Sequence, residues 1–278
     1  MFMRIDSHQH FWRIGERAGG WPPPALAAIH RDFVPADLGP TLKRCGIDGT
    51  VLVQSMASLA ETEALLELAA ATPFVLGVVG WVDMTSADAA QQIARLARNP
   101  WLKGLRPMWQ DQPGDAWAND PAHDRAAQAM QAHALAFDAL VLPPQLPGLL
   151  AFAQRHPQLP IVIDHAAKPG IARGAMEPWR EDIARLAALP NLHCKLSGLL
   201  TEAGPNADAA VLAPYVEHLF ASFGAGRLMW GSDWPVLELA ADYDAWLAIS
   251  SRLCRQRADA AGVEAIFGVN AQRFYRLG

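Results

Sequence analysis

At 278 residues, with 51% apolar and 18% charged side chains, the chain can bury a large core and fits one barrel-sized domain or two smaller ones. A formal net charge of −5 and a scattered set of 23 Lys and Arg residues exclude an electrostatic footprint for nucleic acid or anionic lipid, leaving a small molecule as the expected partner. Cys45, Cys194 and Cys254 are odd in number and lack CxxC spacing, which excludes a disulfide framework or a thiolate zinc site. No apolar run reaches membrane-spanning length and no secretory apolar stretch opens the chain, so a cytoplasmic address is expected; oligomeric state is not legible.

Short aliphatic runs alternate with longer Ala/Leu-rich stretches of helical period, the signature of repeated βα units on a parallel sheet. Strands are expected over residues 4–10, 50–55, 74–83, 102–107, 134–139, 161–166, 192–197 and 227–233. Helical patterns lie at 36–46, 58–72, 86–98, 121–133, 145–156, 177–188, 208–223 and 241–257, with a last amphipathic helix at 262–276. Ser58 with Glu61 and Thr85 with Asp88 have capping-box spacing, and Pro73, Pro100, Pro157 and Pro190 stop helices where strands should follow. Eight such units predict an α/β fold, a single-domain (β/α)8 TIM barrel over residues 1–278 with an extra C-terminal helix. A doubly wound sheet would carry a Gly-rich phosphate turn after its first strand, where this chain has His8-Gln9-His10-Phe11-Trp12. The Gly/Pro-rich stretch from Gly15 to Pro24 reads as a long first loop over the barrel mouth.

A parallel barrel builds its site at the C-terminal ends of its strands. Those ends supply His8 and His10, whose i, i+2 spacing projects both imidazoles to one side, then Gln54, Trp81 with Asp83, Arg106, Asp138, Asp164 with His165 and Lys168, Lys195, and Asp233. Two adjacent imidazoles suit a divalent metal or a charged transition state. Arg106 is read as a contact to a substrate carbonyl or hydroxyl rather than a surface cation. Lys168 is read evenly as substrate-binding or solvated, and Gln54 evenly as a hydroxyl partner or a satisfied core amide. Lys195, inside an apolar strand, needs a partner, either a neighbouring carboxylate or the substrate. Asp164 should point away from His165 and be structural, while Asp6 should orient an imidazole from below. Trp12, Trp81, Trp109 and Trp234 fall at or just past strand ends, and two of them are expected to wall the site for a sugar ring. His30, His123, His133, His156 and His218 are expected to pack or face solvent.

The motifs Asp6-Ser-His-Gln-His-Phe-Trp, Leu102-Lys-Gly-Leu-Arg-Pro, Ile163-Asp-His-Ala-Ala-Lys-Pro, Lys195-Leu-Ser-Gly, Trp230-Gly-Ser-Asp-Trp-Pro and Gly268-Val-Asn-Ala-Gln-Arg-Phe-Tyr together cover essentially the whole chain. Through them it resembles the amidohydrolase superfamily, and within it the sugar-lactonase-like branch of L-fuconolactonases, L-rhamnonolactonases and, more distantly, 2-pyrone-4,6-dicarboxylate lactonases. The resemblance implies that His8 and His10 are the strand-one pair, His165 the strand-six histidine and Asp233 the strand-eight acid/base, with His8, His10, His165 and Asp233 as candidate metal ligands. Arg106 and Lys168, with Gln54, Trp12, Trp109 and Trp234, would then contact substrate. The chain departs from the binuclear pattern, since Arg106 and Asp138 stand where other members carry a carbamylated lysine and a further histidine. One ion, zinc or another divalent metal, or none at all, is what the remaining donors imply.

The expected reaction is hydrolysis of a sugar-acid lactone, L-fuconolactone or a similar aldonolactone, by Asp-activated water attack on the ring carbonyl. The rivals are a metal-dependent decarboxylase or amide hydrolase of the same superfamily, and a barrel that binds a sugar acid without turnover.

Overall fold

Strands buried on both faces need no polar alternation, and the second strand, Gly49-Thr-Val-Leu-Val53, is buried at all five positions. In the computed structural model, which describes residues 2–16, 20–112, 117, 120–204 and 207–278, eight such segments form one parallel sheet in sequential order. They are β1 Ile5–Gln9, β2 Gly49–Val53, β3 Val75–Gly80, β4 Leu102–Leu105, β5 Ala136–Ala139, β6 Ile161–Ile163, β7 Leu192–Leu196 and β8 Leu228–Trp230. Asp233 N–H donates to the His8 carbonyl and His10 N–H to the Trp234 carbonyl, both at 2.8 Å, so the first and last strands meet and the barrel closes.

The surrounding helices are α1 Pro35–Cys45, α2 Leu59–Ala70, α3 Ala89–Leu96, α4 Pro121–Ala132, α5 Leu146–Arg155, α6 Trp179–Ala187, α7 Leu199–Ala203, α8 Ala209–Phe223, α9 Tyr243–Arg255, α10 Ala260–Glu264 and α11 Asn270–Tyr275. Helix α9 illustrates why they dock. Tyr243, Trp246, Ser250, Leu253 and Cys254 recur at helical spacing and are buried, while Asp242 caps the first turn by accepting from Ala245 N–H at 2.7 Å. Strand ends shorten relative to expectation, β6 stopping at Ile163 and β8 at Trp230, because the chain turns sharply there. The expected last helix is broken by a π-helical turn over Ala265–Val269, and α7 was not anticipated. At Ser58 the hydroxyl caps α2 as expected, whereas α3 begins only after Asp88, so Thr85 is not its cap. Of the first loop, residues 17–19 lie outside the described set.

Two cores result. One fills the shell between sheet and helices; the other fills the lower barrel with Ile5, Val51, Val79, Ala136, Val162 and Met229, and α11 closes that floor with Phe274 and Tyr275. Among the described residues no helix is long and apolar enough to cross a membrane.

Candidate active site

Two turns at strand ends bring the site together. After Ile163, the non-glycine residues His165, Ala166, Ala167 and Lys168 all adopt left-handed backbone, with φ of 52°, 51°, 59° and 51°. Each costs about 1–2 kcal/mol, and hydrogen bonds offset it: within the turn Lys168 N–H donates to the His165 carbonyl at 2.8 Å, and from α6 Trp179 Nε1 donates to the Ala166 carbonyl at 2.7 Å. Because alternation ends at Ile163, Asp164 and His165 both enter the barrel. The expectation that Asp164 faces outward is therefore corrected: it is fully buried, with its carboxylate 3.3 Å from Arg106 Nη1 and 3.0 Å from Lys195 Nζ. Gly198 faces the His165 ring so closely that a Cβ would lie 2.7 Å from Nδ1.

At the end of β8, Asp233 is also left-handed, with φ 60°. Asp6 holds this turn rather than an imidazole as expected. It accepts from Ser232 N–H at 2.8 Å, Ser232 Oγ at 2.6 Å and Tyr243 OH at 3.0 Å. Burial pushes the Asp6 carboxyl up to about 6 despite these donors.

Asp233 Oδ1 consequently lies 3.7 Å from His8 Nε2, 3.4 Å from His10 Nε2 and 3.8 Å from His165 Nε2. Burial alone would raise this carboxyl, yet the three imidazoles hold it well below the usual carboxylate range, so it is ionised at any physiological pH. Burial lowers His165 to about 4, and burial with the nearby Lys195 charge lowers His8 well below its usual value. Both rings are therefore neutral near pH 7, as ligands or hydrogen-bond partners must be. His165 Nδ1 meets Ser197 Oγ at 2.9 Å and His10 Nδ1 meets the Val53 carbonyl at 2.7 Å, fixing both rings.

Below this corner lies a buried charge layer. Lys195 Nζ sits 2.5 Å from Asp138 Oδ2, which also accepts from Tyr275 OH at 2.6 Å, so the lysine has the carboxylate partners its burial requires. Arg106, also buried, donates to the Gln54 carbonyl and places Nη1 3.4 Å from His8 Nε2. Gln54 itself is fully buried and donates from Nε2 to the Arg106 carbonyl at 2.8 Å, so it braces the arginine instead of reaching substrate, its other expected role.

The corner opens into a cavity of about 590 Å³ whose inner end carries His10, Arg106, His165 and Asp233. Its outer wall carries Lys168, which donates to Gln110 Oε1 at 2.8 Å, together with Thr201 and Glu202. The expected tryptophan wall is corrected. Trp109 stacks on Trp117 with centroids 3.6 Å apart, Trp12 donates to the Arg31 carbonyl at 2.8 Å, and Trp234 packs edge-on to Phe33 while donating to Glu238 at 2.9 Å; all three are buried in the outer shell. Trp21, Leu26 and Met108 supply the apolar lining instead. Sequence reasoning missed Glu202 because α7, which follows the strand end by a turn at Gly198, has only five helical residues, too few for a periodic signal. His123 and His156 are buried away from the mouth, and His30 bonds the Pro22 carbonyl, as expected.

His8, His165 and Asp233 lie with one ligand atom each within 4.8 Å of one another, and His10 Nε2 adjoins them. Two imidazole nitrogens and a carboxylate oxygen, with room facing the cavity, fit a single divalent ion.

The chain is 54% identical to the L-fucono-1,5-lactonase of Burkholderia ambifaria over 280 residues, covering 100% of this chain and 97% of that protein. It is 37% identical to the L-fucono-1,5-lactonase of Burkholderia multivorans, covering 99% and 96%. A solved amidohydrolase structure from Burkholderia multivorans with bound zinc superposes with a TM-score of 0.93 at 36% identity, covering 99% of this chain and 100% of that one. With residues 5–277 matching the amidohydrolase family model, the chain belongs to the amidohydrolase family.

Proposed function

We propose that this protein is a lactonase that hydrolyses a sugar-acid lactone, L-fucono-1,5-lactone or a similar aldonolactone. The observation that carries the reading is the ionised Asp233 carboxylate, set among three imidazoles at the inner end of a cavity sized for one sugar ring. The 54% identity to an L-fucono-1,5-lactonase supports it.

Asp233 accepts a proton from water as the water oxygen bonds to the lactone carbonyl carbon. The positive charge of Arg106 at the inner wall stabilises the carbonyl oxygen as it becomes negative. The ring C–O bond then breaks, and the proton on Asp233 passes to the departing ring oxygen, giving the open hydroxy acid. His165 stays neutral throughout and keeps Asp233 oriented. A zinc or other divalent ion held by His8, His165 and Asp233, with His10 beside them, supplies Lewis-acid polarisation of the carbonyl when bound. Lys168, Gln110 and Glu202 read the ring hydroxyls, the cation and amide donating and the carboxylate accepting.

The test is a screen of aldonolactones by proton release at mildly acidic pH, where uncatalysed opening is slow. L-Fucono-1,5-lactone should be among the preferred substrates, and absence of turnover on every aldonolactone with zinc supplied overturns the reading. Metal analysis with activity measured after chelation assigns the ion's part: full activity in demetallated protein removes it from the reaction.

A further inference from the structure

His8 is contacted on both ring nitrogens by more partners than a neutral imidazole can satisfy, since such a ring has one N–H and one lone pair. Nδ1 has Lys195 Nζ at 3.1 Å and Asp164 Oδ1 at 3.4 Å; Nε2 has His10 Nε2 at 3.2 Å, Arg106 Nη1 at 3.4 Å and Asp233 Oδ1 at 3.7 Å. Asp233, at 3.7 Å, is beyond hydrogen-bond distance, and the other four sort into two sets. With hydrogen on Nε2, the ring accepts from Lys195 and donates to His10. With hydrogen on Nδ1, it donates to Asp164 and accepts from Arg106.

Distance favours the first set, at 3.1 and 3.2 Å against 3.4 and 3.4 Å. The far end of the chain independently requires it. The Val53 carbonyl can only accept, so His10, 2.7 Å away, carries its hydrogen on Nδ1 and offers the Nε2 lone pair to His8. The ammonium of Lys195 can only donate. A one-way sequence of hydrogen bonds therefore runs from Lys195 through His8 and His10 to Val53. Lys195 is fixed in place by Asp138 at 2.5 Å and Asp164 at 3.0 Å, inside the barrel. Arg106 Nη1 has a nearer acceptor in Asp164 Oδ2 at 3.3 Å and does not need the His8 lone pair.

We propose that Lys195 is a positioning residue that holds His8 with hydrogen on Nε2, so that a divalent ion gains His8 as a ligand only by displacing the Lys195 hydrogen bond, with Asp164 receiving the hydrogen on Nδ1. Lys195 thus sets the ion affinity of the site. His8 is a hydrogen-bond donor in the free protein and a ligand in the loaded one, and Asp164 is the acceptor already in place for the second state. A carboxylate partner on the outer nitrogen is what strengthens a metal-bound imidazole, whereas an ammonium opposes it. The inference concerns the free protein and zinc, and holds or fails independently of which lactone is the substrate.

Two measurements test it. In demetallated full-length protein labelled with 15N at histidine, long-range 1H–15N correlation spectra, assigned with His8→Gln and His10→Gln, should show His8 protonated at Nε2 and His10 at Nδ1. Hydrogen on His8 Nδ1 overturns the proposal. Zinc affinity by competition with a chromophoric chelator should rise about tenfold in Lys195→Met, the range over which outer partners act. Equal or weaker binding by a folded variant overturns it, and should that variant fail to fold, the spectra of the unaltered chain decide alone.

Discussion

The two ends of the barrel interior are built on opposite principles. The floor is a plug of Ile5, Val51, Val79, Ala136, Val162 and Met229 sealed by Phe274 from α11, held by area removed from water. The mouth holds left-handed non-glycine turns, three imidazoles, and carboxylates paired with buried cations, each individually costly and mutually dependent. The difference separates most of what keeps this chain folded from what lets it react: a change among the floor's apolar side chains should cost stability with the site's chemistry intact, and loss of the reacting carboxylate at the mouth should do the reverse.

The largest expected effect that sharpens this contrast is Asp233→Asn. Turnover of L-fucono-1,5-lactone should fall roughly a thousandfold through loss of the acid/base group, while the melting temperature stays near that of the unaltered protein. Retained turnover would remove Asp233 from its role. At the floor, Phe274→Ala should cost about 3–5 kcal/mol by denaturant unfolding, with kcat per folded molecule nearly unchanged. A parallel loss of kcat would mean that the two ends are not separable.

Acidification tests the mouth from its charge side. His165 titrates at about 4 in the folded protein against its usual 6.5, so between these values the unfolded chain binds more protons and stability falls as pH falls. Asp6, at about 6 instead of 3.8, retains a proton in the folded state and works in the opposite direction over much of the same window. His165→Gln removes the first effect and leaves that of Asp6, so the variant in metal-free form should lose less stability than the unaltered protein between pH 6.5 and 4, by up to about 3 kcal/mol. Identical acid profiles would show that His165 is not buried neutral. The smallest effect belongs to the outer wall. Glu202→Gln should lower the preference for a polyhydroxylated lactone over an unsubstituted δ-lactone by about tenfold in the ratio of kcat/KM values, one charge-assisted hydrogen bond's worth. An unchanged ratio would take Glu202 out of hydroxyl recognition.

Much of the floor-to-mouth scaffold is legible in the sequence because strand periodicity and proline stops are local signals. The eight strands and the barrel follow from runs and spacings read along the chain, which also bring His8, His10, His165 and Asp233 to strand ends; what singles these four out there is the resemblance to the amidohydrolase superfamily. The inward turn of Asp164 was not legible, since alternation assumes that the strand continues, and the left-handed turn after Ile163 ends it. Nor were the tryptophan orientations: a large ring at a strand end packs wherever the shell has space, and Trp109 found Phe137, Phe152 and His123 there. The partners of Lys195 come from Asp138, Asp164 and Tyr275, separated from it by tens of residues, and only the closed barrel brings them together.

Tyr275 carries a consequence of its own. Its ring belongs to the apolar plug, but its hydroxyl donates to Asp138, which grips Lys195, which touches His8. The seal beneath the barrel is thus wired to the ligand pair above it through three successive side chains. Exchanging mouth loops between relatives leaves that wire uncut, whereas exchanging the terminal helix would retune the histidines from underneath without altering a residue that substrate meets.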